Sequence, residues 1–497
     1  MSFNTYGNDQ EKNMDNKEND ANVYAADVER IPRSNSSNGM EVEIDQDGAH
    51  LDRTLSERQV TMLAIAGIIG TGLFLGTGRA IVHGGAVGAW LGYFVMAILS
   101  FCMMMSLGEM SCHQPSSGNF VAFTSAYVND ALGSACGWIY FMFGALFAPV
   151  EISAACVILQ YWDKNTSHAS IYTAVLIVFV ITANAIGVRW FGEIEFWFGF
   201  IKVATILGLI LVGIVINAGG GPVKDHIGFR IWKEYPFNDE YGGISNVNTA
   251  RFLGFWAVLT QAAFSFSGLE SLAVVAGEAK NPRKVMARAF KQVFQRIAVL
   301  YLLSLFIISL NVSRVDPNLL GALAEASGTA AQSPFVIMIN RAGIKALPAI
   351  INAVVFTSAI SSGNEGFFFG SRTLVALATR GHAPRFLLRT NRLGSPYFTV
   401  IVQGCFACLS FLSVSNGSAT AFSWLSNLTT LCSLISWICI CVAYIRFHKA
   451  TVVQGFDRKL LPFRGYFQPY LAWFALVGFF LVTLFNVAHL QRDHTRK

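Results

Sequence analysis

The chain has 497 residues, 53% hydrophobic and only 13% charged, with 41 Phe, 10 Trp and a net charge of +6. Apolar runs of about 18 residues or more recur along it, each long enough to cross a hydrocarbon core of roughly 30 Å, which excludes a soluble multi-domain enzyme and leaves one integral membrane domain with short loops. The nine cysteines support neither a disulfide framework nor a zinc site, since the one Cys-x2-Cys pair, Cys405 and Cys408, lies in an apolar run with no second pair or histidine partner.

The N-terminus differs from the rest. Residues 1–50 carry eleven acidic and four basic residues, many Asn and Ser, and no sustained apolar run, the signature of a disordered tail. The tail lacks the apolar core of a cleavable leader, so the segment from Leu63 onward is the expected first signal-anchor. Beyond the tail the balance is 32 basic against 19 acidic residues, which reflects loop asymmetry more than affinity for nucleic acid. The chain divides into an acidic tail (1–50), a membrane domain (51–488) and an atypical C-terminal tail (489–497).

Eleven spans are expected, near 59–80, 84–106, 134–161, 171–188, 194–217, 252–277, 296–313, 345–378, 397–415, 421–446 and 468–488. Basic residues cluster between spans 6 and 7 (Lys280 to Arg296), 8 and 9 (Arg380 to Arg392) and 10 and 11 (Arg446 to Arg464). These loops share one side, and the positive-inside rule makes it cytoplasmic, the N-terminus included. By the same parity the basic end Gln491–Lys497 falls outside. A miscount would resolve that, as would a chain stopping before a twelfth span through a retained intron or gene-model error.

The first span is interrupted by Gly67-Ile-Ile-Gly-Thr-Gly-Leu-Phe-Leu-Gly-Thr-Gly78. Each glycine costs a helix about 1 kcal/mol against alanine, and unwound backbone survives at membrane depth only where it is buried or lines a cavity. Ile69, Gly70, Thr71 and Gly72 would free N–H groups suited to a carboxylate; close helix packing of the Gly-x-x-x-Gly kind is the other use of such a run. In span three, Glu151 sits deep in Leu146-Phe-Ala-Pro-Val-Glu-Ile-Ser153, where it either holds a proton or satisfies a neighbouring hydroxyl. Lys202, in span five, is the only basic residue well inside a span, Arg372 lying near the end of span eight. It either snorkels to the interface or supplies an ammonium where a sodium ion would otherwise sit.

The second interruption is Phe264-Ser-Phe-Ser-Gly-Leu-Glu-Ser271 in span six. Phe264, Ser265 and Ser267 could present a ring and hydroxyls around Gly268, where freed carbonyls accept from an ammonium. Glu270 follows in an apolar setting that costs an ionised group at least ~2.5 kcal/mol, which makes it a functional candidate. Asn364 and Glu365 interrupt span eight and are gating or coupling groups if they face the first break, packing groups if they face a neighbour. Two broken spans at corresponding positions of two halves point to a midplane site of a secondary transporter, here for a small zwitterion. His83, His113 and His382 show no ligand spacing, and neither metal nor cofactor is expected.

These residues carry a family resemblance. The chain resembles the fungal amino-acid permeases of the amino acid–polyamine–organocation superfamily through residues 67–78, Leu107-Gly-Glu-Met110, Phe191-Gly-Glu-Ile-Glu-Phe-Trp197, 264–271, Glu278-Ala-Lys-Asn-Pro-Arg-Lys284 and Ser371-Arg-Thr-Leu-Val-Ala-Leu-Ala378. The resemblance implies an all-α transporter of two inverted five-helix repeats, with substrate held between broken helices 1 and 6. It implies that Thr71 and Gly72 bind the substrate carboxylate, that Phe264 and Ser267 line the pocket, and that Lys202, Glu270 and Glu151 serve proton coupling. It also implies a twelfth span, a plasma-membrane location, and ubiquitin-ligase recognition of the tail at Lys12 and Lys17. Residues 225–233, 331–336 and Leu434-Ile-Ser-Trp437 are similar to the dicarboxylic permeases, which favours glutamate and aspartate. Against that, a second substrate carboxylate wants an arginine, and no span interior supplies one. The expected activity is proton-coupled amino-acid import. A broad neutral permease, a proton-independent exchanger and a non-transporting amino-acid receptor are the alternatives; no nucleophile–base set converges to support an enzyme.

Overall fold

Backbone groups in lipid must be satisfied within their own segment, and this chain does so with helices. The computed structural model describes residues 57–66, 69–114, 119–163, 165–186, 188–275, 282–324, 333–391, 394–414 and 418–495. The acidic tail with Lys12 and Lys17, and Glu278, lie outside the described residues. Among the described residues the only β contact is an isolated bridge between Ala218 and His226.

Helices α1 (Glu57–Ala66) and α2 (Thr71–Phe74) flank the first break, and α3 (Gly76–His113) completes span one and returns as span two. The reversal is at Gly85 (φ 78°, ψ 179°), where the N–H groups of Ala86 and Val87 donate to Tyr235 and Pro236 at 3.1 and 2.9 Å. After the short α4 (Asn119–Tyr127), span three is α5 (Asp130–Leu159), whose first turn is capped by the Asn129 side chain accepting from the Leu132 N–H at 2.7 Å. Helices α6 (Ala169–Ala185) and α7 (Val188–Asn217) are spans four and five, and α8 (Arg230–Glu234) lies in the loop that follows.

The second half begins like the first, with a broken span: α9 (Val247–Phe266) and α10 (Ser271–Val275). Then come α11 (Pro282–Asn311), the loop helices α12 (Pro317–Ala324) and α13 (Pro334–Arg341), and α14 (Leu347–Thr379). Helix α15 (Tyr397–Ala407), extended by a 3₁₀ stretch Cys408–Val414, is span nine, with α16 (Ser418–Val453) and α17 (Tyr470–Thr495) as spans ten and eleven. Each of the eleven expected spans thus has a helical counterpart. Seven helices are long and apolar enough to cross a membrane, and Ala169–Ala185, Ala298–Asn311 and Tyr470–Asn486 are shorter apolar stretches.

Helix α14 packs along α5, α9 along α3, and α16 against α5. On α5 the rings of Tyr140, Phe143 and Phe147 stack in a row (5.3 and 5.4 Å) that ends on Phe264 at the second break, 6.3 Å from Phe147. Large apolar side chains on α6, α7 and α17, such as Val175, Leu211, Trp473 and Phe480, point outward and suit lipid. At the end of the bundle where α1 starts, Arg458 reaches from the loop before α17 to Glu109 on α3. Its Nε and Nη2 donate to Oε1 and Oε2, both at 2.8 Å, and the Gly465 N–H adds a bond at 3.0 Å.

Candidate functional site

The two breaks meet. At the first, Gly70 is extended (φ −122°, ψ −158°), which releases the Ile69 carbonyl from any helix. That carbonyl accepts from Ser358 Oγ at 2.9 Å and Ser362 Oγ at 3.2 Å, both on α14. The donors of Thr71 turn the other way, toward α5. Its N–H lies 3.3 and 3.4 Å from the two oxygens of Glu151, and its Oγ1 donates to Oε1 at 2.8 Å. A carboxylate of the protein itself therefore occupies the donors that the sequence offers to a substrate carboxylate.

Gly72 makes the close approach possible, since a Cβ there would lie 2.8 Å from Ser265 Cα. Ser265 Oγ donates to the Gly72 carbonyl at 2.9 Å and lies 2.7 Å from Tyr93 Oη. The turn of the second break falls at Gly268, whose φ of +96° side-chain-bearing residues rarely adopt. Ser267 Oγ donates to the Ala263 carbonyl at 2.9 Å, so its proton is committed to its own helix. Phe264 keeps 7% of its surface exposed against the α5 ring row. Glu270 is fully buried; Trp437 Nε1–H on α16 donates to its Oε2 at 2.8 Å, and no donor reaches Oε1.

Lys202 does not snorkel. It is 1% exposed, and its Nζ donates to Ser362 Oγ at 3.2 Å, which joins it through Ser362 to the Ile69 carbonyl. Asn364 and Glu365 do not face the first break, where Ser358 and Ser362 stand instead. Asn364 Nδ2 donates to Glu195 Oε1 on α7 at 2.7 Å, and its Oδ1 accepts from Asn184 Nδ2 on α6 at 2.8 Å. Ser361 Oγ donates to Glu195 Oε2. Among the described residues no donor reaches either oxygen of Glu365, which follows Asn364 beside Glu195.

Four groups of residues went unrecognised in the sequence. Glu195 lies seven positions before Lys202, two helical turns on one face, and that spacing was a usable signal. Ser358 and Ser362, four apart on α14, carried a similar one; Trp437 and Tyr93 carried none. Arg79 was hidden by a boundary. The first span was expected to end at residue 80, but its helix runs to the turn at Gly85, which places Arg79 inside it. Arg79 Nη1 donates to Ser423 Oγ at 3.5 Å, its guanidinium lies 5.7 Å from the Phe422 ring centre, and among the described residues no carboxylate pairs with it. Among the described residues no group of three His, Cys, Asp or Glu is placed to hold a metal ion.

The arrangement sets the donors of Thr71 against a buried acid beside the second break and holds further acids and one lysine in the core. Comparisons with known proteins agree in kind. Residues 59–492 match the family model described as Amino acid permease. An uncharacterised amino-acid permease of Schizosaccharomyces pombe is 38% identical over 89% of this chain and 84% of its own length. The dicarboxylic amino acid permease of Saccharomyces cerevisiae is 37% identical (88% and 72%), and the proline-specific permease of Emericella nidulans is also 37% identical (87% and 78%). Among solved structures, MhsT in complex with L-phenylalanine is similar in fold, with a TM-score of 0.56 at 13% identity over 87% of this chain and 99% of that one. The chain belongs to the amino acid permease family: it is an all-α, multi-pass membrane transporter of amino acids and not an enzyme.

Proposed function

We propose that this protein imports amino acids across the plasma membrane in symport with protons, its N-terminus cytoplasmic, and that acidic amino acids are its preferred substrates. The observation that carries the symport reading is the contact between Thr71 and Glu151. A proton taken up by Glu151 weakens its hold on the Thr71 donors, which the carboxylate of an arriving substrate can then take, beside Gly70 and Gly72. The substrate ammonium lies at the turn around Gly268, and Phe264, Ser265 and Ser267 border its side chain. Lys202 supplies a positive charge against the Ile69 carbonyl, and Glu270 is the second candidate for coupling. Recognition of the tail by a ubiquitin ligase at Lys12 and Lys17 belongs to the same proposal.

Arg79 supports the acidic preference. It is an intramembrane guanidinium whose described contacts are one hydroxyl and one ring, and such a group suits a second carboxylate. Identity alone does not choose, because the dicarboxylic, proline-specific and basic permeases are all 37% identical to this chain. The competing reading, broad neutral amino acids, is favoured by distance: Arg79 lies about 12 Å along the helix from Thr71 at 1.5 Å per residue.

The test is uptake of labelled glutamate, proline and lysine, with and without a protonophore, in permease-deficient yeast expressing the chain. Glutamate uptake that collapses with the gradient is expected. Proline uptake exceeding glutamate would replace the acidic reading with the neutral one, and binding without accumulation would make the protein a receptor.

A further inference from the structure

Three ionisable groups lie fully buried between α7 and α14: Glu195 and Lys202 on the first and Glu365 on the second. Their hydrogen bonds are unequal. Glu195 accepts from Asn364 Nδ2 and Ser361 Oγ, so both its oxygens are served by donors, as an ionised carboxylate requires. Glu365 receives no hydrogen bond on either oxygen, and it directly follows Asn364, whose amide bonds Glu195, so the two acids are neighbours between α14 and α7. A buried carboxyl with no donor on either oxygen is held as the neutral acid, so of the two it is Glu365 that keeps the proton at rest. Two like charges side by side in a buried site would also repel each other. With one proton between the acids and an ammonium on Lys202, the cluster is neutral.

We propose that Glu365 and Glu195 together form a proton-binding station, holding one proton between them, that lies beyond Lys202 on the path from Glu151 toward the end of the bundle where α7 starts. The proposal rests on the symport reading and extends it. Lys202 faces the pair from α7, with the polar Asn184 from α6, and Glu151 on α5 faces Lys202 in turn. Glu195 lies about 10 Å along α7 from Lys202, nearer the start of that helix, so the two acids extend the polar chain in one direction.

The transfer balances. Once the pair has released its proton to water, an N–H bond of the Lys202 ammonium breaks and an O–H bond forms on the pair, leaving an amine. The O–H bond of protonated Glu151 then breaks and an N–H bond forms on Lys202. One proton has moved from Glu151 to the pair, and Lys202 is an ammonium again.

The purified full-length protein in liposomes tests this through two assays with one labelled amino acid, whichever of glutamate, proline and lysine the wild type takes up fastest. The first is accumulation driven by an imposed pH gradient; the second is counterflow exchange at equal pH, which requires no net proton movement. The wild type is expected to do both. Glu365→Gln, an isostere whose amide can still donate to Glu195, is expected to keep counterflow while its accumulation ratio falls to about one, since the coupling free energy is lost. Accumulation at the wild-type ratio in Glu365→Gln would overturn the station and leave the symport reading standing. Loss of counterflow together with accumulation would also overturn it, because that marks a part of the carrier itself. Wild-type counterflow without any accumulation would remove the symport reading and the station with it. Should Glu365→Gln fail to fold, Glu195→Gln decides on the same criteria.

Discussion

Two buried carboxylates on this bundle have opposite surroundings. Glu109, at the end of α3, is fully buried and receives three hydrogen bonds, two of them from one guanidinium in bidentate geometry. Glu365, on α14, is equally buried and receives none from any donor. Burying a charge is costly wherever it happens, so burial does not distinguish the two. Satisfaction does. A carboxylate fully served by fixed donors has one stable protonation state and acts as a fastener, here tying the loop before α17 to the core. One left without donors can exist only by holding or exchanging a proton, which suits a transporter and would be a defect in a fastener.

The comparison breaks if the fastener proves dispensable. Replacing Arg458 by Met removes the partner and leaves Glu109 buried and uncompensated, a change worth roughly 3–5 kcal/mol. A large drop in the melting temperature of the purified protein is expected, with recovery when Glu109→Gln is added. An unchanged melting temperature would mean that water reaches Glu109 and that its bonds are not what holds the loop.

Trp437→Phe takes the comparison to the intermediate case. Glu270 has one served oxygen and one unserved, and the substitution removes the indole donor at 2.8 Å. A hydrogen bond to a charged buried group is worth about 1.5–3 kcal/mol. The expected outcome is a smaller loss of melting temperature than at Arg458, together with reduced uptake at an unchanged amount of folded protein. A loss of stability with normal transport per folded molecule would class Glu270 with Glu109.

Arg79 gives a cation its turn. If it receives the second carboxylate of an acidic substrate, Arg79→Gln should raise the apparent KM for glutamate about tenfold, or ~1.4 kcal/mol, relative to proline measured in the same cells. Equal changes for both substrates would make it a packing residue of α3 against α16.

The sequence carried the architecture further than the wiring. Both broken spans were legible because glycine and polar residues at membrane depth have few other uses, and the eleven spans were read from apolar length. The partners were not legible. That Glu151 meets Thr71, or Glu365 lies beside Glu195, depends on how α5 and α7 rotate against their neighbours, and helices apolar on nearly every face leave that rotation unmarked. Lys202 was read both as a snorkelling side chain and as a buried charge, and only its contact with Ser362 separates the two. Arg79 was missed for a simpler reason: helix ends are the least definite feature of a sequence, and a shift of four residues moved it from a span's edge to its interior.

Asp163, in the loop between α5 and α6, completes the comparison as a carboxylate that is well served but exposed. Tyr172 Oη donates to it at 2.6 Å, His168 Nδ1 lies 2.7 Å away and the Asn165 N–H donates at 3.0 Å. These contacts, the tyrosine first, hold its carboxyl down at about 2, below the ordinary value of about 4. A depressed folded-state value means that the stabilisation is complete above the ordinary value and is lost as pH falls toward the folded one. Asp163→Asn should therefore lower the melting temperature slightly at neutral pH, and the gap to wild type should close between about pH 4 and pH 2. The effect should be the smallest of the four, because solvent screens an exposed charge that burial would have made expensive. A gap that widened on acidification would show that the aspartate destabilises its loop, and that good hydrogen-bond geometry does not make a fastener even where burial is absent.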